Sequence, residues 1–555
     1  MASSWLLSVS CTELLIAQGC KGERTADVMD SNDPYLGLRL RKISTTEKAT
    51  TLPAGELEEE PVTPAGRVFM QPDLNCYIIC TLGFQDPINV VAFKRTLSET
   101  LVNHKRFHSV LKKNRRGRDI WVPVEVNIDD HVSEINEFTE SEKTAPQFIQ
   151  NYVSDVEHAS PLDSSRPLWH CYIINGTSGI AASYMVIRVH HAFGDGTSLM
   201  SLLLACTRRL DSPGQLPLIP AASKKRKEKV PLFRWFFSCI LLVWNTVVGV
   251  LLFLSTILWF RDSDSIIKGY DGVENAKKKI VYSVIDINDM RVVKDAVNGT
   301  VNDVLMGMVA AGLHKYVEGR YRQSIDSKPD AQGRLESEIR TNMKHMDANS
   351  PTKKTPPQVS TLRIRACALV NTRGSPGLQE LASMLKGGSQ MRWGNNVGYV
   401  LFPIPLNHHH EPLGYVRAAK KISDKKKASL EAYFTYWAAS LLMYITGAKL
   451  PAMLTRRVIL QTTLAISNMP GPTEPITFSG NPIVQMFPAV TRIPQGVSVF
   501  LQSYMGKASL VVMSAEDIVP DPEVLCEYCV ASLQEMLESA VAKRSESSNA
   551  SSKRP

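Results

Sequence analysis

The stretch VIRVHHAFGDGTSLM, from Val186 to Met200, holds the residue types best suited to chemistry. His190 and His191 are adjacent, and Asp195 and Gly196 follow in a short turn. A histidine can act as a general base because its ordinary pKa lies close to neutral pH. Histidines and aspartates also form metal sites, and they occur in turns that are only structural. The pattern alone therefore leaves three alternatives: a catalytic base, a metal site or a polar turn.

The flanking residues predict the elements that position this motif. A β-rich apolar run predicts a strand that ends at Val189. Apolar residues at helical spacing after the turn predict a buried helix. Gly194 and Gly196 are expected to allow unusual backbone dihedrals. Thr197 or Ser198 is expected to cap the helix.

Strand geometry predicts different positions for the two histidines. Successive side chains of a strand point to opposite faces, so only one of His190 and His191 should face a given cavity. This disfavours joint metal binding, which also needs a further ligand, and no metal site is predicted. Asp195 is expected to brace the turn, either through backbone N–H groups or through a salt bridge to Arg106.

Length and composition indicate an intracellular globular protein of more than one domain. The chain has 555 residues, of which 44% are hydrophobic, and a net charge of +9. Ten widely spaced cysteines indicate a reducing compartment, and Cys526 and Cys529 are interpreted as part of a half-buried helix face. Residues 21–60 are polar without a sustained period, and residues 1–58 are predicted to be a mostly disordered extension; 546–555 are predicted to be a disordered tail.

Several motifs together resemble a known enzyme family. HHAFGDG fits the HHxxxDG motif of CoA-dependent acyltransferases and peptide-synthetase condensation domains. Further blocks resemble the wax ester synthase/diacylglycerol acyltransferase family in its plant-like branch. These blocks are PLDSSRPLW (161–169), VNDVLMG (301–307), WGNNVGY (393–399) and SNMPGP (467–472). They occur in the family's order, and the resemblance covers roughly residues 59–540.

The resemblance implies a mixed α/β fold with two chloramphenicol-acetyltransferase-like domains and an active-site tunnel between them. The N-terminal acyltransferase domain, with the HHxxxDG motif, is expected at 59–215. The C-terminal acyltransferase domain is expected at 276–545. A basic and hydrophobic linker that associates with a membrane is expected at 216–275.

The resemblance also implies residue roles. His191 is the implied general base, His190 a supporting residue and Asp195 a structural one. Gly196 keeps the turn open, and backbone N–H groups near it, or Asn468, are alternative donors to an oxyanion. Other matched positions are expected to shape the tunnel, with core packing and turn capping as the open alternative: Pro167, Leu168, Trp169, Asn302, Asp303 and Asn468.

The implied activity is O-acyl transfer. A long-chain acyl group would pass from acyl-CoA, the co-substrate, to a fatty alcohol or diacylglycerol, giving wax ester or triacylglycerol. No other cofactor is expected. One alternative is a condensation-type enzyme that uses carrier-protein thioesters, although no carrier domain is recognised in the chain. The other is a non-catalytic lipid-binding scaffold on the same fold.

An uncharged segment separates the two halves of the chain. Residues 235–260 would form a helix of roughly 38 Å, enough to cross a bilayer core of about 30 Å. Three alternatives follow: a non-crossing insertion bent near 245–249, a single crossing, or a helix packed on protein. A crossing would separate halves that must share one active site, so the non-crossing insertion is favoured. The expected location is the endoplasmic reticulum membrane, with the catalytic domains on its cytosolic face, or else the plasma membrane.

Other polar clusters are given less specific interpretations. The basic run 224–229 is expected to meet membrane lipid, and no nucleic-acid partner is predicted, because no interleaved aromatic residues accompany it. His408 to His410 are interpreted as a surface loop. Lys420, Lys421 and 425–427 could meet CoA phosphates or lipid headgroups, or form a solvated helix face. The uncharged stretch 432–448 could line the tunnel, lie at a membrane or be buried.

Overall fold

The computed structural model describes residues 60–145, 147–217, 231–326, 359–373, 393–407 and 409–552. The predicted disordered extension at 1–58 and the basic run at 224–229 lie outside the described residues. The tail predicted to be disordered from 546 is instead helical as far as Ser552.

The described residues form strands and helices that alternate along the chain. The strands are β1 (Glu60–Pro61), β2 (Tyr77–Phe84), β3 (Ser109–Lys113), β4 (Asp119–Pro123), β5 (Val132–Glu134), β6 (Trp169–Asn175), β7 (Ser183–His190), β8 (Arg208–Arg209), β9 (Lys278–Asp286), β10 (Arg365–Asn371), β11 (Val397–Pro403), β12 (Leu464–Met469), β13 (Ile476–Phe478), β14 (Asn481–Thr491), β15 (Val497–Tyr504) and β16 (Lys507–Ala515). The α-helices are α1 (Pro64–Phe69), α2 (Val90–Glu99), α3 (Glu140–Lys143), α4 (Phe148–His158), α5 (Gly196–Cys206), α6 (Leu232–Leu258), α7 (Ile287–Ala296), α8 (Val301–Asp326), α9 (Leu413–Lys427), α10 (Glu431–Thr446), α11 (Lys449–Gln461) and α12 (Pro522–Ser552).

The strands form two large sheets and one small one. The first large sheet has the order β5-β6-β7-β2-β14-β13-β8, and the second has the order β11-β10-β12-β15-β16-β9. Most pairs are antiparallel, whereas β12 pairs in parallel with both β10 and β15. The small sheet has the order β1-β4-β3. The predicted mixed α/β fold is therefore confirmed.

The two halves of the chain exchange strands. β14, from the second half, pairs with β2 from Tyr77 opposite Thr491 to Phe84 opposite Ile483. Helix α4, from the first half, packs in turn against β9 of the second sheet. The bounds 59–215 and 276–545 remain a prediction, but residues 476–491 lie in the sheet of the first half.

Three apolar clusters follow this arrangement. One lies within the second half, where α8, α9 and α12 cover the second sheet. Another packs around Trp169 and Phe193 of the first half and includes residues that the second half contributes, among them Phe478 and Ile483. The third joins the halves, with Val153 and Val186 from the first half and Phe487 and Val511 from the second. Burial of apolar surface therefore holds the two sheets together as well as stabilising each one.

Helix α6 is a continuous apolar helix docked by one side. It has 27 residues, and its most apolar 18-residue window has a mean hydropathy of 2.3, so it is long and apolar enough to cross a membrane. Only 6% of that window is buried. Asn245 Nδ2 donates to the carbonyl of Ala428 at 3.1 Å, and the Leu430 N–H donates to Thr246 Oγ1 at 2.9 Å. The helix is not interrupted at 245–249, where a bend was expected.

The carboxyl end of α6 is fixed by the buried side chain of Arg365. Its guanidinium donates to Asp262 Oδ1 at 2.5 Å and to Thr256 Oγ1 at 2.5 Å. It also donates to the carbonyl of Phe260 at 2.8 Å. Both Arg365 and Asp262 are almost fully buried, so each charge depends on the other for compensation.

Replacing Arg365 by leucine should destabilise the fold by about 3–5 kcal/mol, because Asp262 would keep a buried, unpaired charge. The free energy of unfolding of the detergent-solubilised protein measures this. Arg363→Leu is the matched control, since Arg363 is exposed and binds the carbonyl of Arg261, and its loss should cost about 1 kcal/mol or less. Equal losses for both variants would contradict the structural role given to the buried pair.

Candidate active site

His190 is the last residue of β7, and both of its ring nitrogens are occupied. Nδ1 accepts from the Ala192 N–H at 3.1 Å, so the neutral ring carries its proton on Nε2 and donates to Asn75 Oδ1 at 2.9 Å. Burial, together with the smaller effects of the nearby His191 and Arg188, lowers the pKa of His190 to about 3. His190 is therefore a neutral residue that supports the turn.

His191 begins the short 3₁₀ turn after β7, and its ring packs on Phe69. His191 contacts Asn395 through two hydrogen bonds, one from the ring and one from the backbone carbonyl. Nδ1 lies 3.1 Å from Asn395 Oδ1, and Asn395 Nδ2 donates to the His191 carbonyl at 2.8 Å. Because the Asn395 oxygen can only accept, the Nδ1 proton is on His191 and Nε2 keeps a lone pair. Among the described residues, none hydrogen-bonds to that Nε2.

The surroundings of His191 favour its neutral form. Burial lowers its pKa, and this effect outweighs the opposing effects of backbone hydrogen bonding, the Asp195 carboxylate and the Asn395 amide. A neutral imidazole with a free lone pair can take a proton from a bound hydroxyl group. The predicted separation of the two histidines is confirmed by their different partners.

Asp195 caps helix α5. Its Oδ1 accepts from the Ser198 N–H at 3.0 Å, and its Oδ2 accepts from the Asn396 N–H at 3.0 Å. The predicted caps, Thr197 and Ser198, are wrong because the helix begins at Gly196, whereas a cap at Thr197 would require it to begin two residues later. Asp195 makes no hydrogen bond to His191 among the contacts of the described residues, which fits a structural role.

The predicted salt bridge between Asp195 and Arg106 is also wrong. Arg106 is buried against Glu60, with Nη2 at 2.8 Å from Oε1, and its Nη1 donates to the Phe193 carbonyl at 2.7 Å. Asp195 instead pairs with Arg373, with Nη2 at 2.8 Å from Oδ2. The Arg106 side chain therefore braces the turn by binding the backbone carbonyl of Phe193. The charge partner of Asp195 comes from the second half of the chain.

The glycines of the turn are required for space and not for unusual dihedrals. Gly194 has φ of 171° and ψ of 166°, which is extended backbone that any residue adopts. A Cβ on Gly196 would overlap Met469 Cε. Gly394 does need its freedom, since its φ is +110° and a Cβ there would meet Thr63 Cγ2.

The PLW block supports the strand that carries His190. Trp169 is buried, stacks on His131 and donates from Nε1 to the Phe107 carbonyl at 2.9 Å. The Trp169 N–H donates to the Pro167 carbonyl at 2.8 Å, and the His190 N–H donates to the Leu168 carbonyl at 2.9 Å. None of the three residues lines the cavity beside His191. Their role is therefore core packing, which the sequence left open as the alternative to shaping the tunnel.

The ND block divides between the cavity and a helix cap. Asn302 lines the cavity, and its Oδ1 accepts from Asn468 Nδ2 at 2.5 Å. Asp303 is buried, and its Oδ2 accepts from the Thr300 N–H at 2.7 Å at the start of α8. Thr300 Oγ1 accepts from the Asp303 N–H at 3.3 Å in return, so Thr300 and Asp303 together cap the start of the helix.

A cavity of about 580 Å³ lies between the two large sheets, with His191 on its wall. Most of its wall is apolar and comes from both halves, for example Ile187 and Leu202 from the first and Ile466 and Phe500 from the second. This volume is within the range of small-molecule sites. Two buried oxygens of lining residues, Ser201 Oγ and Gln502 Oε1, have no hydrogen-bond partner among the described residues.

The other predicted clusters lie apart from this site. Lys426 pairs with the buried Glu431 at 2.6 Å, and Lys427 lies 3.5 Å from the buried Asp303, so both cations stabilise the protein itself. His408 lies outside the described residues. Across the described ranges, no group of three or more His, Cys, Asp or Glu side chains is arranged to hold a metal ion. Cys526 and Cys529 are fully buried on α12, not half-buried as expected.

Comparison with known proteins identifies the family. Residues 82–305 match the wax ester synthase/diacylglycerol acyltransferase catalytic domain, and residues 393–537 match the WS/DGAT C-terminal domain. Wax ester synthase/diacylglycerol acyltransferase 11 of Arabidopsis thaliana is 35% identical, over 88% of this chain and 96% of its own length. The chain belongs to this family. It is an acyltransferase of the wax ester synthase/diacylglycerol acyltransferase type.

A second relative supports the family, and two solved structures share the fold. Wax ester synthase/diacylglycerol acyltransferase 5 of Arabidopsis thaliana is 33% identical, over 86% of this chain and 93% of its own length. The structure of the wax ester synthase/diacylglycerol acyltransferase from Marinobacter aquaeolei VT8 is 16% identical, with a TM-score of 0.52, and covers 87% of this chain and 99% of its own. A condensation domain of the calcium-dependent antibiotic synthetase has a TM-score of 0.52 at 14% identity, which shows a shared fold alone.

Sequence reasoning missed Asn395 and Arg373 as parts of the site. Asn395 lies in the block WGNNVGY, which was recognised but given no role. The hydrogen bond between the Asn395 side chain and a histidine 204 positions away leaves no recognisable pattern in the local sequence. Arg373 follows β10 in a basic stretch with no distinctive spacing.

Asn395→Ala should lower acyltransferase activity by roughly ten- to hundredfold, because the His191 ring loses the Nδ1 hydrogen bond that orients it and the His191 carbonyl loses its bond to the same amide. This is less than the roughly 10²–10⁴-fold contribution expected of a general base itself. The turnover number with saturating substrates measures the effect. Asn175→Ala is the matched control, because Asn175 also makes two hydrogen bonds to backbone, both to Ile88, and lies far from His191 in the sheet. Full activity in Asn395→Ala would contradict the positioning role.

Proposed function

We propose that this acyltransferase joins a long-chain acyl group from acyl-CoA to a fatty alcohol, to diacylglycerol or to both, with His191 as the general base. The observation that carries the proposal is the position of His191. Its Nδ1 is held by Asn395, and its ring lies on the wall of an apolar cavity between the sheets. An apolar cavity of this kind suits lipophilic substrates.

The proposed reaction is a direct transfer. His191 Nε2 takes the hydroxyl proton of the acceptor while its oxygen attacks the carbonyl carbon of the thioester. The new C–O bond forms as the C–S bond breaks, and the departing CoA thiolate recovers the proton from the imidazolium. Since an ordinary thiol has a pKa of about 8.5, the thiolate leaves with little acid assistance. No covalent intermediate with the protein is needed.

The tetrahedral intermediate carries a negative charge that needs hydrogen-bond donors. The amino end of α5 faces the cavity, and Gly196 and Thr197 both line it. The first N–H groups of a helix have no partner within it, and the helix dipole favours an anion there. We assign the oxyanion to these N–H groups. Asn468, the alternative donor, has its amide nitrogen bonded to Asn302.

The proposed location is the cytosolic face of the endoplasmic reticulum membrane, with the plasma membrane as the alternative compartment. The exposed apolar side of α6 supports membrane association. It also favours lipid acceptors over transfer from carrier-protein thioesters, whereas the oriented His191 on the cavity wall favours catalysis over non-catalytic lipid binding.

Removing His191 tests the function directly. Membranes that contain the full-length protein are assayed with radiolabelled palmitoyl-CoA, and with hexadecanol or diacylglycerol offered separately. The wild type should give wax ester, triacylglycerol or both, and His191→Ala should lose about 10²–10⁴-fold in rate. If the wild type forms no product with hexadecanol and none with diacylglycerol, the substrate assignment is contradicted. Full turnover by His191→Ala would contradict the general-base role.

The pH dependence of acyl transfer follows from the lowered pKa of His191. A general base must be neutral, and burial opposes its protonation, so the proton adds only below the ordinary histidine pKa of about 6.5. The value of kcat/KM should therefore be constant from about pH 8 down to about pH 6.5 and fall at lower pH. An inflection clearly above pH 7 would contradict this assignment.

A further inference from the structure

We propose that α6 and α10 together form one surface that inserts into a single leaflet of a lipid bilayer, without crossing it. The inference deepens the membrane location proposed above. A role of this surface in delivering lipid substrates rests on the proposed function, whereas binding of the surface to a bilayer does not require catalysis.

The inner side of α6 is fixed to protein. Its docked residues recur at helical spacing, and one of them, Gly249, lies so close to Glu431 that a Cβ would meet the carboxylate at 2.5 Å. Arg457 donates from Nη2 to the Leu258 carbonyl at 2.8 Å at the end of the helix. The second half of the helix therefore cannot be surrounded by lipid, as a crossing helix requires.

The outer side of α6 is apolar and exposed. Its first seven residues, 232–238, are exposed around the whole helix. Leu232 is 80% exposed, and Phe236 is 55% exposed. A second protein would cover one stripe of such a helix, whereas lipid hydrocarbon can cover every side. The occupant that fits these turns is therefore a bilayer.

Helix α10 adds a second apolar stripe beside the first. α10 packs against both α6 and α11. Its exposed large side chains lie at helical spacing: Phe434, Trp437, Leu441, Tyr444 and Ile445. Tyr444 is 86% exposed, and Ile445 is 68% exposed. An exposed apolar area that extends over two packed helices is unusual for a soluble monomer and marks an interaction site.

Charges and tryptophans define the edges of this surface. Arg234 and Trp235 lie at the amino end of α6, and Trp259 and Arg261 lie just beyond its carboxyl end, all of them exposed. Tryptophan rings favour the boundary between hydrocarbon and headgroups, and cations favour anionic headgroups. Both ends of the helix therefore suit one interface, which describes a helix lying in the leaflet plane.

The sheets also place both halves on the same side of the bilayer. β2 precedes α6 and pairs along its length with β14, which follows α6. If α6 crossed the bilayer, the chain before it would have to return through the hydrocarbon, and that chain includes the basic run 224–229. Moving several lysines into hydrocarbon is costly, at about 2.5–3.5 kcal/mol each even on insertion scales.

The inner side of α10 reaches the active site. The Tyr436 hydroxyl lies 3.1 Å from the side-chain amide of Asn396. The backbone N–H of the same Asn396 donates to the Asp195 carboxylate. The next residue, Trp437, is 65% exposed on the outer side. A single helix thus separates the proposed bilayer surface from the loop that orients His191. This position suits an enzyme whose acceptor dissolves in the membrane.

Vesicle flotation of the full-length protein tests the surface. Vesicles of phosphatidylcholine, with or without phosphatidylserine, are mixed with wild type and with Trp437→Glu/Leu441→Glu. The α10 variant should bind at least about tenfold more weakly, because two large apolar side chains can no longer enter the leaflet. Val91→Glu/Ile180→Glu, which changes two exposed apolar residues away from these helices, should bind like wild type.

Several outcomes separate the proposal from its alternatives. Unchanged flotation of the α10 variant would overturn the composite surface. A change in oligomeric state in detergent, without a change in flotation, would assign the surface to a second copy and overturn the proposal. Thermal unfolding in detergent verifies that each variant is folded. His191→Ala should float like wild type, so failure of the proposed function and failure of this surface are distinguishable.

Protease protection tests the topology. Epitope tags placed within residues 218–223 and at the carboxyl terminus should both be cleaved in sealed microsomes. Protection of only one tag would show that the chain crosses the bilayer and would overturn the proposal.

Discussion

The pair of hydrogen bonds between His191 and Asn395 is the interaction on which the active site depends. It sets the tautomer of the ring, and it joins residues that lie on opposite sides of α6 in the sequence. The base therefore has a defined orientation only when the two halves are assembled. The Asp195 carboxylate adds a second link of the same kind, since it binds both Arg373 and the Asn396 N–H.

This requirement explains the exchange of strands between the sheets. Two domains joined only by a linker would leave the distance between His191 and Asn395 free to vary. The pairing of β2 with β14 and the shared apolar cluster remove that freedom, because separating the halves would break a strand pair and expose a core. A hydrogen bond is worth only about 1 kcal/mol net, so it cannot hold two domains by itself. The sheet supplies the rigidity, and the hydrogen bonds then select one orientation of the ring.

Local pattern in the sequence predicted the elements well and their partners poorly. Period and composition are local properties, so the strand β7 and the helix α5 were both recognisable. Contacts across the halves carry no such signal. Arg106 was chosen as the partner of Asp195, although Arg373 occupies that place, and an arginine in either position has the same local appearance. The role of Asn395 could not be inferred for the same reason. Motif resemblance identified the block that contains it, but only the fold shows which atom it holds.

The apolar helix shows how composition alone can mislead about topology. By length and hydropathy, α6 meets the requirements of a membrane span. Its few polar positions resolve the ambiguity, because Asn245, Thr246 and Thr256 lie on the side that meets protein. The Thr246 and Thr256 hydroxyls donate to carbonyls within the helix and also accept hydrogen bonds from the Leu430 N–H and from Arg365. The Asn245 amide donates to the Ala428 carbonyl, outside the helix, and would cost free energy in a lipid-surrounded span. The polar stripe therefore defines the docking side, and the apolar remainder defines the side that faces lipid.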